Sequence, residues 1–385
     1  MQQILVRSRL LAELRQRLAE SPVVSLLGAR QVGKTTLALQ LAQELGGATV
    51  FDLERPSGRA ALEQTPELTL AEQQGLVVID EVQRLPELFS LLRPMVDDPS
   101  HRARYLLLGS AAPELVRGVS ESLAGRVQFV SVSGFCLAET GVEQQDRLWL
   151  RGGFPRSFLA ASDQAAWRWL EGFRRTFLER DIPALGVRIA AASLERFWQM
   201  LAFCHGQTWN GAELGRSMGL SATSVNHYRD LLVGTFMVRL LQPWHANLAK
   251  RQVKAAKIYL RDAGVLHHLL GIPSMTALRS HPRYGASWEG FALEQVLSHF
   301  GEQAAWFWGT HRGAELDLLL QRQGRFWGFE FKCSDGPRST RSMHIALNDL
   351  QLEHLWVIYP GVQRYALAPG ITALPLRQLP ELALD

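Results

Sequence analysis

Gly28-Ala-Arg-Gln-Val-Gly-Lys34-Thr35, followed by Thr36, is the stretch on which the reading of this chain turns. It fits the pattern G-x-x-x-x-G-K-[ST], a loop whose backbone N–H groups cradle phosphates. Glycines let the backbone curl so that successive amides point inward. The residues expected at the phosphates are Gly28, Ala29, Arg30, Gln31, Val32, Gly33, Lys34, Thr35 and Thr36. Lys34 has the reach for the β and γ phosphates, and the Thr35 hydroxyl suits Mg²⁺. The flanks agree. Pro22–Leu27 reads as a buried strand, and Thr36–Leu45 as a helix whose N-terminus faces an anion.

Downstream, Leu76-Val-Val-Ile-Asp80-Glu81 is an apolar strand ending in two acids. Asp80 is expected in the Mg²⁺ shell and Glu81 at the attacking water. Tyr105–Ser110 is another apolar strand; Ser110 reads either as a γ-phosphate contact or as a strand-end hydroxyl. Ser120–Arg126 ends on an arginine before a strand. Arg126 reads as an arginine finger or sensor, with a surface arginine as the competing reading. Phe51–Glu54 ends a strand and either faces the site or merely closes the strand.

These strands alternate with helices up to about residue 140, which predicts an α/β core on a parallel sheet. With 385 residues the chain has room for two or three domains, and 47% hydrophobic content places it among globular proteins. No apolar run reaches membrane-spanning length and no signal peptide opens the chain. Cys136, Cys204 and Cys333 fit neither a zinc spacing nor a disulfide framework. A cytoplasmic location is expected. From Ala246 to Trp288 there are seven Lys or Arg (Lys250, Arg251, Lys254, Lys257, Arg261, Arg279, Arg283) against Asp262, a local +6 that exceeds the chain's net +4. Nucleic-acid phosphates, solvent, or an acidic domain could each meet that stretch.

The middle of the chain reads as helical. The run Gly211–Gly219 is a short helix, and Ser221 caps the next, which runs to Leu232. With Thr235–Leu241 and Pro243-Trp244 as a hairpin-like wing, this predicts a winged helix. Thr223, Ser224, His227 and Arg229 are its candidate groove contacts, and protein docking is the other use of such a module. The expected domains are 1–140, 141–250 and 251–385.

The last of these reads as a second α/β unit. Asp317 lies on one strand and Glu330-Phe-Lys332 on the next, where the period of two puts both polar side chains on one face. Two carboxylates can share a divalent metal while a lysine steers water. Metal-dependent nucleases of the restriction-endonuclease fold have this layout. Glu289 completes the set from its helix or stands exposed on it. A salt-bridged, inactive remnant of such a site is the alternative.

Taken together, the phosphate loop, Ile79–Phe89, Leu108–Ser110, Ser122–Arg126, Gly152–Pro155, Glu179–Asp181, Ile258-Tyr259 with Asp262, Trp288-Glu289, and Glu315–Asp317 with Glu330–Lys332 resemble prokaryotic AAA-type ATPases with a C-terminal domain of unassigned function. The resemblance covers nearly the whole chain. It implies an AAA-type P-loop core, a helical and winged-helix middle, and a C-terminal restriction-endonuclease-like α/β domain. It assigns Lys34 and Thr35 to phosphate and Mg²⁺, Asp80 and Glu81 to metal and water, Ser110 to sensing, and Arg126 to an arginine finger. ATP and Mg²⁺ are the expected cofactors. DNA is the expected partner, in a homo-oligomer whose finger acts in trans. In one respect the chain departs from nuclease motifs: Leu316, not proline, precedes Asp317.

Overall fold

The computed structural model describes residues 5–110, 119, 121–245 and 255–384, with the backbone alone at Ser110. The chain divides into two compact units, Met1–Gly134 with Gly234–Phe236, and Phe135–Val233 with Met237–Asp385.

In the first unit β1 (Val23–Gly28), β2 (Thr49–Asp52), β3 (Gly75–Asp80), β4 (Ala103–Ser110) and β5 (Val127–Ser131) form one sheet in the order β2-β3-β4-β1-β5. Every pairing is parallel. All of β1 is buried, as a strand covered on both faces requires, and that is why it reads as an unbroken apolar run. The strands fall within about two residues of their expected places. The sequence reading passes over the helix Ser8–Glu20, whose Leu11, Leu14 and Leu18 are buried. Because β4 lies between β1 and β3, the loop after β1 and the acids after β3 open at the same edge of the sheet. Ligands bind at the carboxyl ends of such strands.

The second unit opens with helices, among them Gln145–Arg151, Asp163–Thr176 and Ala191–Phe203. Next come β6 (Gln207–Thr208), helices Gly211–Met218 and Ala222–Gly234, β7 (Val238–Leu241) and β8 (Lys257–Leu260). Ser221 Oγ accepts from Ser224 N at 3.0 Å, the expected cap. These three strands are antiparallel in the order β6-β8-β7. The expected boundary at residue 250 therefore falls inside the β7–β8 pair. All four residues of β8 are buried, so the strand needs partners on both edges, and β6 and β7 supply them.

Helix Tyr284–Phe300 then leads into β9 (Ala305–Gly309), β10 (Glu315–Arg322) and β11 (Arg325–Phe331), and helix Arg341–Asp349 leads on to β12 (His354–Tyr359), β13 (Tyr365–Ala368) and β14 (Ile371–Pro375). The sheet order is β13-β14-β12-β11-β10-β9. Pairing is antiparallel from β9 to β11 and parallel from β11 through β12 to β14. Trp308, Leu316, Leu319, Leu355 and Val357 share one core with Met343 and Ala346 of helix Arg341–Asp349.

Two sequence motifs lock into each other here. Asp262 caps helix Ala263–Leu270 through Val265 N at 2.9 Å and also accepts from Gly153 N at 2.7 Å. A Cβ at Gly152 would lie 2.1 Å from the Asp262 carboxylate, and one at Gly264 2.1 Å from the Arg151 carbonyl. Gly152–Pro155 and Asp262 thus form a packing joint.

Candidate functional site

The phosphate loop leaves β1 at Gly28, where any Cβ would meet the Val132 carbonyl at 2.2 Å. Gln31 (φ 64°) and Gly33 (φ 99°) both lie in the left-handed region, the local geometry that turns successive amides to one side. Helix Lys34–Glu44 starts directly after Gly33, so its N-terminus faces the same space. Lys34 is buried, and its Nζ donates to the carbonyls of Gly28 and Ala29, each at 2.9 Å. Burial pushes its pKa down to about 8, and the charges of Glu81 and Asp80 hold it up.

Thr35 Oγ1 donates to Asp80 Oδ2 at 2.7 Å. The two groups reach one another across β4, from the ends of different elements, as neighbouring ligands on a Mg²⁺ shell would. Burial raises the Asp80 carboxyl, against the bonds from Thr35 and from Glu81 N. Glu81 sits at φ 58°, an uncommon conformation for a residue with a side chain. Its carboxylate accepts from Gln83 Nε2, and burial raises its pKa. Gln83 was not singled out in the sequence. Glu54 answers the question left open for β2: it pairs with Arg30 of the loop at 2.8 Å and with Arg84 at 3.4 Å.

Lys34, Thr35, Asp80 and Glu81 therefore converge, and their donor and acceptor types fit a triphosphate with Mg²⁺. Ser110 ends β4 opposite Gly28, and its side chain lies outside the described residues. Arg126 does not join this site. It precedes β5, and its carbonyl accepts from Val23 N at the start of β1, one strand length or about 17 Å from the loop. Its guanidinium grips Asp97 at 2.5 and 2.7 Å. Because β5 runs parallel to β1, Arg126 lies at the amino ends of the strands, opposite the phosphate loop, and does not stand at this site as a sensor.

In the second unit Glu289, Asp317, Glu330 and Lys332 come together, and a residue counted above only as surface charge joins them. Lys257 Nζ, on buried β8, lies 3.3 Å from Asp317 Oδ1 and 3.5 Å from Glu289 Oε1, and pairs with Glu315 Oε1. Tyr259 OH donates to Glu289 Oε1 at 2.6 Å. Phe331 N donates to Asp317 Oδ2 at 3.0 Å, and Lys332 Nζ to Glu330 Oε1 at 2.7 Å. Burial raises Glu289 and Glu330 well above the usual carboxylate range. Glu289 is thus no exposed helical glutamate. Among the described residues, no three His, Cys, Asp or Glu are placed to hold a metal ion.

The basic stretch is not one face. Arg261 is turned inward to Glu302 at 3.1 Å, and Arg283 donates to the His205 carbonyl at 2.8 Å. Arg279 is exposed, 3.7 Å from Asp146. Lys250, Arg251 and Lys254 lie outside the described residues. On helix Ala222–Gly234, Thr223 and His227 are exposed, Ser224 belongs to the cap, and Arg229 lies over Trp209 and pairs with Asp230 at 2.7 Å. Among the described residues no helix is long and apolar enough to cross a membrane.

Comparison with known proteins adds the following. Residues 20–141 match the family described as an AAA domain, while residues 142–276 and 284–379 match two domains of unknown function, DUF8612 and DUF4143. The chain is 48% identical over 368 residues to uncharacterized protein Mb2031c of Mycobacterium bovis and to uncharacterized protein Rv2008c of Mycobacterium tuberculosis, covering 96% of this chain and 83% of each relative. Among solved structures, the Walker-type ATPase paby2304 of Pyrococcus abyssi is similar with a TM-score of 0.49 and 16% identity over 69% of this chain and 96% of that one. The P-loop NTPase domain of an E. coli sigma-54 transport activator has a TM-score of 0.24 and 22% identity over 33% of this chain and 97% of that one.

Proposed function

The chain belongs to the family of these two mycobacterial proteins, which it matches at 48% identity over 96% of its length, and from its AAA domain we propose that it binds ATP with Mg²⁺, hydrolyses it, and passes its nucleotide state to the second unit. The observation that carries this reading is the 2.7 Å bond from Thr35 to Asp80 beside the buried Lys34 ammonium, at the carboxyl edge of a parallel sheet. Mg²⁺, when bound, would neutralise phosphate charge. Thr35 and Asp80 would hold it. Lys34 exchanges its two carbonyl acceptors for phosphate oxygens. Glu81 orients the attacking water and accepts its proton once the bond from Gln83 is released. Ser110 is assigned the sensing contact at the end of β4.

The test is Glu81→Gln. It removes the charge with little change of shape. ATP binding is expected to persist while turnover falls at least about 100-fold, as loss of a general base predicts. Turnover near that of the parent chain would remove Glu81 from this role.

Arg126 is assigned a finger role across a subunit boundary in a homo-oligomer. Its distance from the loop of its own subunit supports action in trans, after Asp97 has released it. Arg126→Ala is expected to lower hydrolysis far more than nucleotide affinity. Mixed with Lys34→Ala chains, which keep their arginine, it should regain turnover. Mixtures as inactive as their components argue against a shared site.

For the second unit we propose a winged helix followed by a restriction-endonuclease-like α/β fold. The order helix, β6, two helices, β7, β8 supports the first. Helix Tyr284–Phe300, three antiparallel strands, a helix and a parallel strand support the second. DNA remains the proposed partner through the run Lys250, Arg251 and Lys254, because Lys257, Arg261, Arg283 and Arg229 are engaged internally. About three phosphate contacts predict a slope near −3 for log affinity against log salt on duplex DNA. Replacing those three residues with alanine should flatten it, and Arg229→Ala should not. No binding at low salt would leave protein docking as the use of this module.

A further inference from the structure

We infer that Lys257 is the resident cation of the C-terminal acid cluster: its buried ammonium stands where a divalent metal would have to stand, and it closes the nuclease-like unit to metal-dependent cleavage. The inference is independent of the ATPase reading.

The carboxylates it holds come from two elements. Glu289 projects from helix Tyr284–Phe300; Glu315 and Asp317, two residues apart, share one face of β10. All three have an oxygen on Lys257 Nζ. The 3.3 and 3.5 Å separations suit an ammonium among carboxylates; Mg²⁺ demands oxygens at about 2.0–2.1 Å. Other donors of the chain also hold these carboxylates. Asp317 Oδ2 takes the Phe331 amide, Glu289 Oε1 also takes the Tyr259 hydroxyl, and Glu330 Oε1 takes Lys332. Glu330 Oε2 is buried without a hydrogen-bond partner, on a carboxylate whose other oxygen is already held by Lys332.

The ammonium is also held in place. The Lys257 side chain is 5% exposed. Its strand is paired on both edges, and the Phe307 ring lies 5.6 Å from the Nζ. Lys257 and Tyr259 fall on the same face of β8, so one strand face delivers both a cation and a hydroxyl to Glu289. The cluster that could have gripped a metal instead ties β8 to β10 and to helix Tyr284–Phe300.

The test is Mn²⁺ binding to the full chain, read from the EPR signal of free Mn²⁺, with Asp80→Asn throughout to silence the other carboxylate position. With Lys257 present, Asp317→Asn should change nothing. Lys257→Ala should gain one saturable Mn²⁺ site per chain, and Asp317→Asn added to it should remove that site. An Mn²⁺ site that depends on Asp317 while Lys257 is in place would overturn the inference, as would a folded Lys257→Ala chain that gains none. If circular dichroism shows Lys257→Ala unfolded, Lys257→Met, which keeps the volume, takes its place, and the arm with native Lys257 decides in any case.

Discussion

Lys34→Ala is expected to reduce ATP turnover by at least about 100-fold, the scale on which a single preorganised donor to developing charge acts. The lysine is buried, at the start of a helix, and aimed at the mouth of the loop by its bonds to Gly28 and Ala29. Alanine leaves the loop without its ammonium. Lys34→Arg should fail almost as badly, since a planar fork does not replace a compact point charge in this space. Steady-state phosphate release measures both, and turnover within a few-fold of the parent would refute the clamp. A pH profile gives an independent check. The ammonium is the phosphate-binding form, and burial brings its pKa down to about 8. ATP affinity of the parent chain should therefore fall as pH rises through and above 8, while that of Lys34→Ala should stay flat over the same range.

The second large effect falls on stability. Lys257→Ala strands the buried Asp317 and the largely buried Glu289 without their cation, while Glu315 remains half exposed to solvent; breaking such a buried pair costs about 3–5 kcal/mol. The sequence happens to provide the probe. All eleven tryptophans, from Trp149 to Trp356, lie in the second unit, so tryptophan fluorescence in urea follows that unit alone. The midpoint should drop by more than about 1 M for a slope of 1–3 kcal/mol per M. Adding Asp317→Asn should recover part of the loss, because it removes one of the stranded charges. A midpoint unchanged by Lys257→Ala would show that the ammonium contributes nothing to the fold.

How far the sequence reached depends on how local each feature is. β1, the loop and helix Lys34–Glu44 follow one another directly, and β3 announces Asp80 and Glu81 by its apolar run. Chemistry carried within a dozen residues was therefore legible. Arg126 was not: it precedes β5, which runs parallel to β1, and so it lies at the amino ends of the strands, away from the loop. Lys257 was read as part of a positive run, although its partners Glu289 and Asp317 are 32 and 60 residues away. A signal for it existed. Lys257 and Tyr259 put two polar groups on one face of an otherwise apolar strand, the same anomaly that drew attention to Glu330 and Lys332. Arg229 misled for the opposite reason. Its spacing on the helix suggested a groove contact, while a ring and a neighbouring acid, Trp209 and Asp230, had claimed it.

The pairing of β8 with β6 and β7 sets a rule for anyone who wants to move these modules between proteins. A cut near residue 250, where the charge pattern suggests a seam, would graft the six-stranded sheet together with a strand torn from its neighbours. A cut farther on, after Leu260, would leave the graft carrying three acids and no counter-ion. A break after Gly134 keeps β8, its two neighbours and the six-stranded sheet together in one piece.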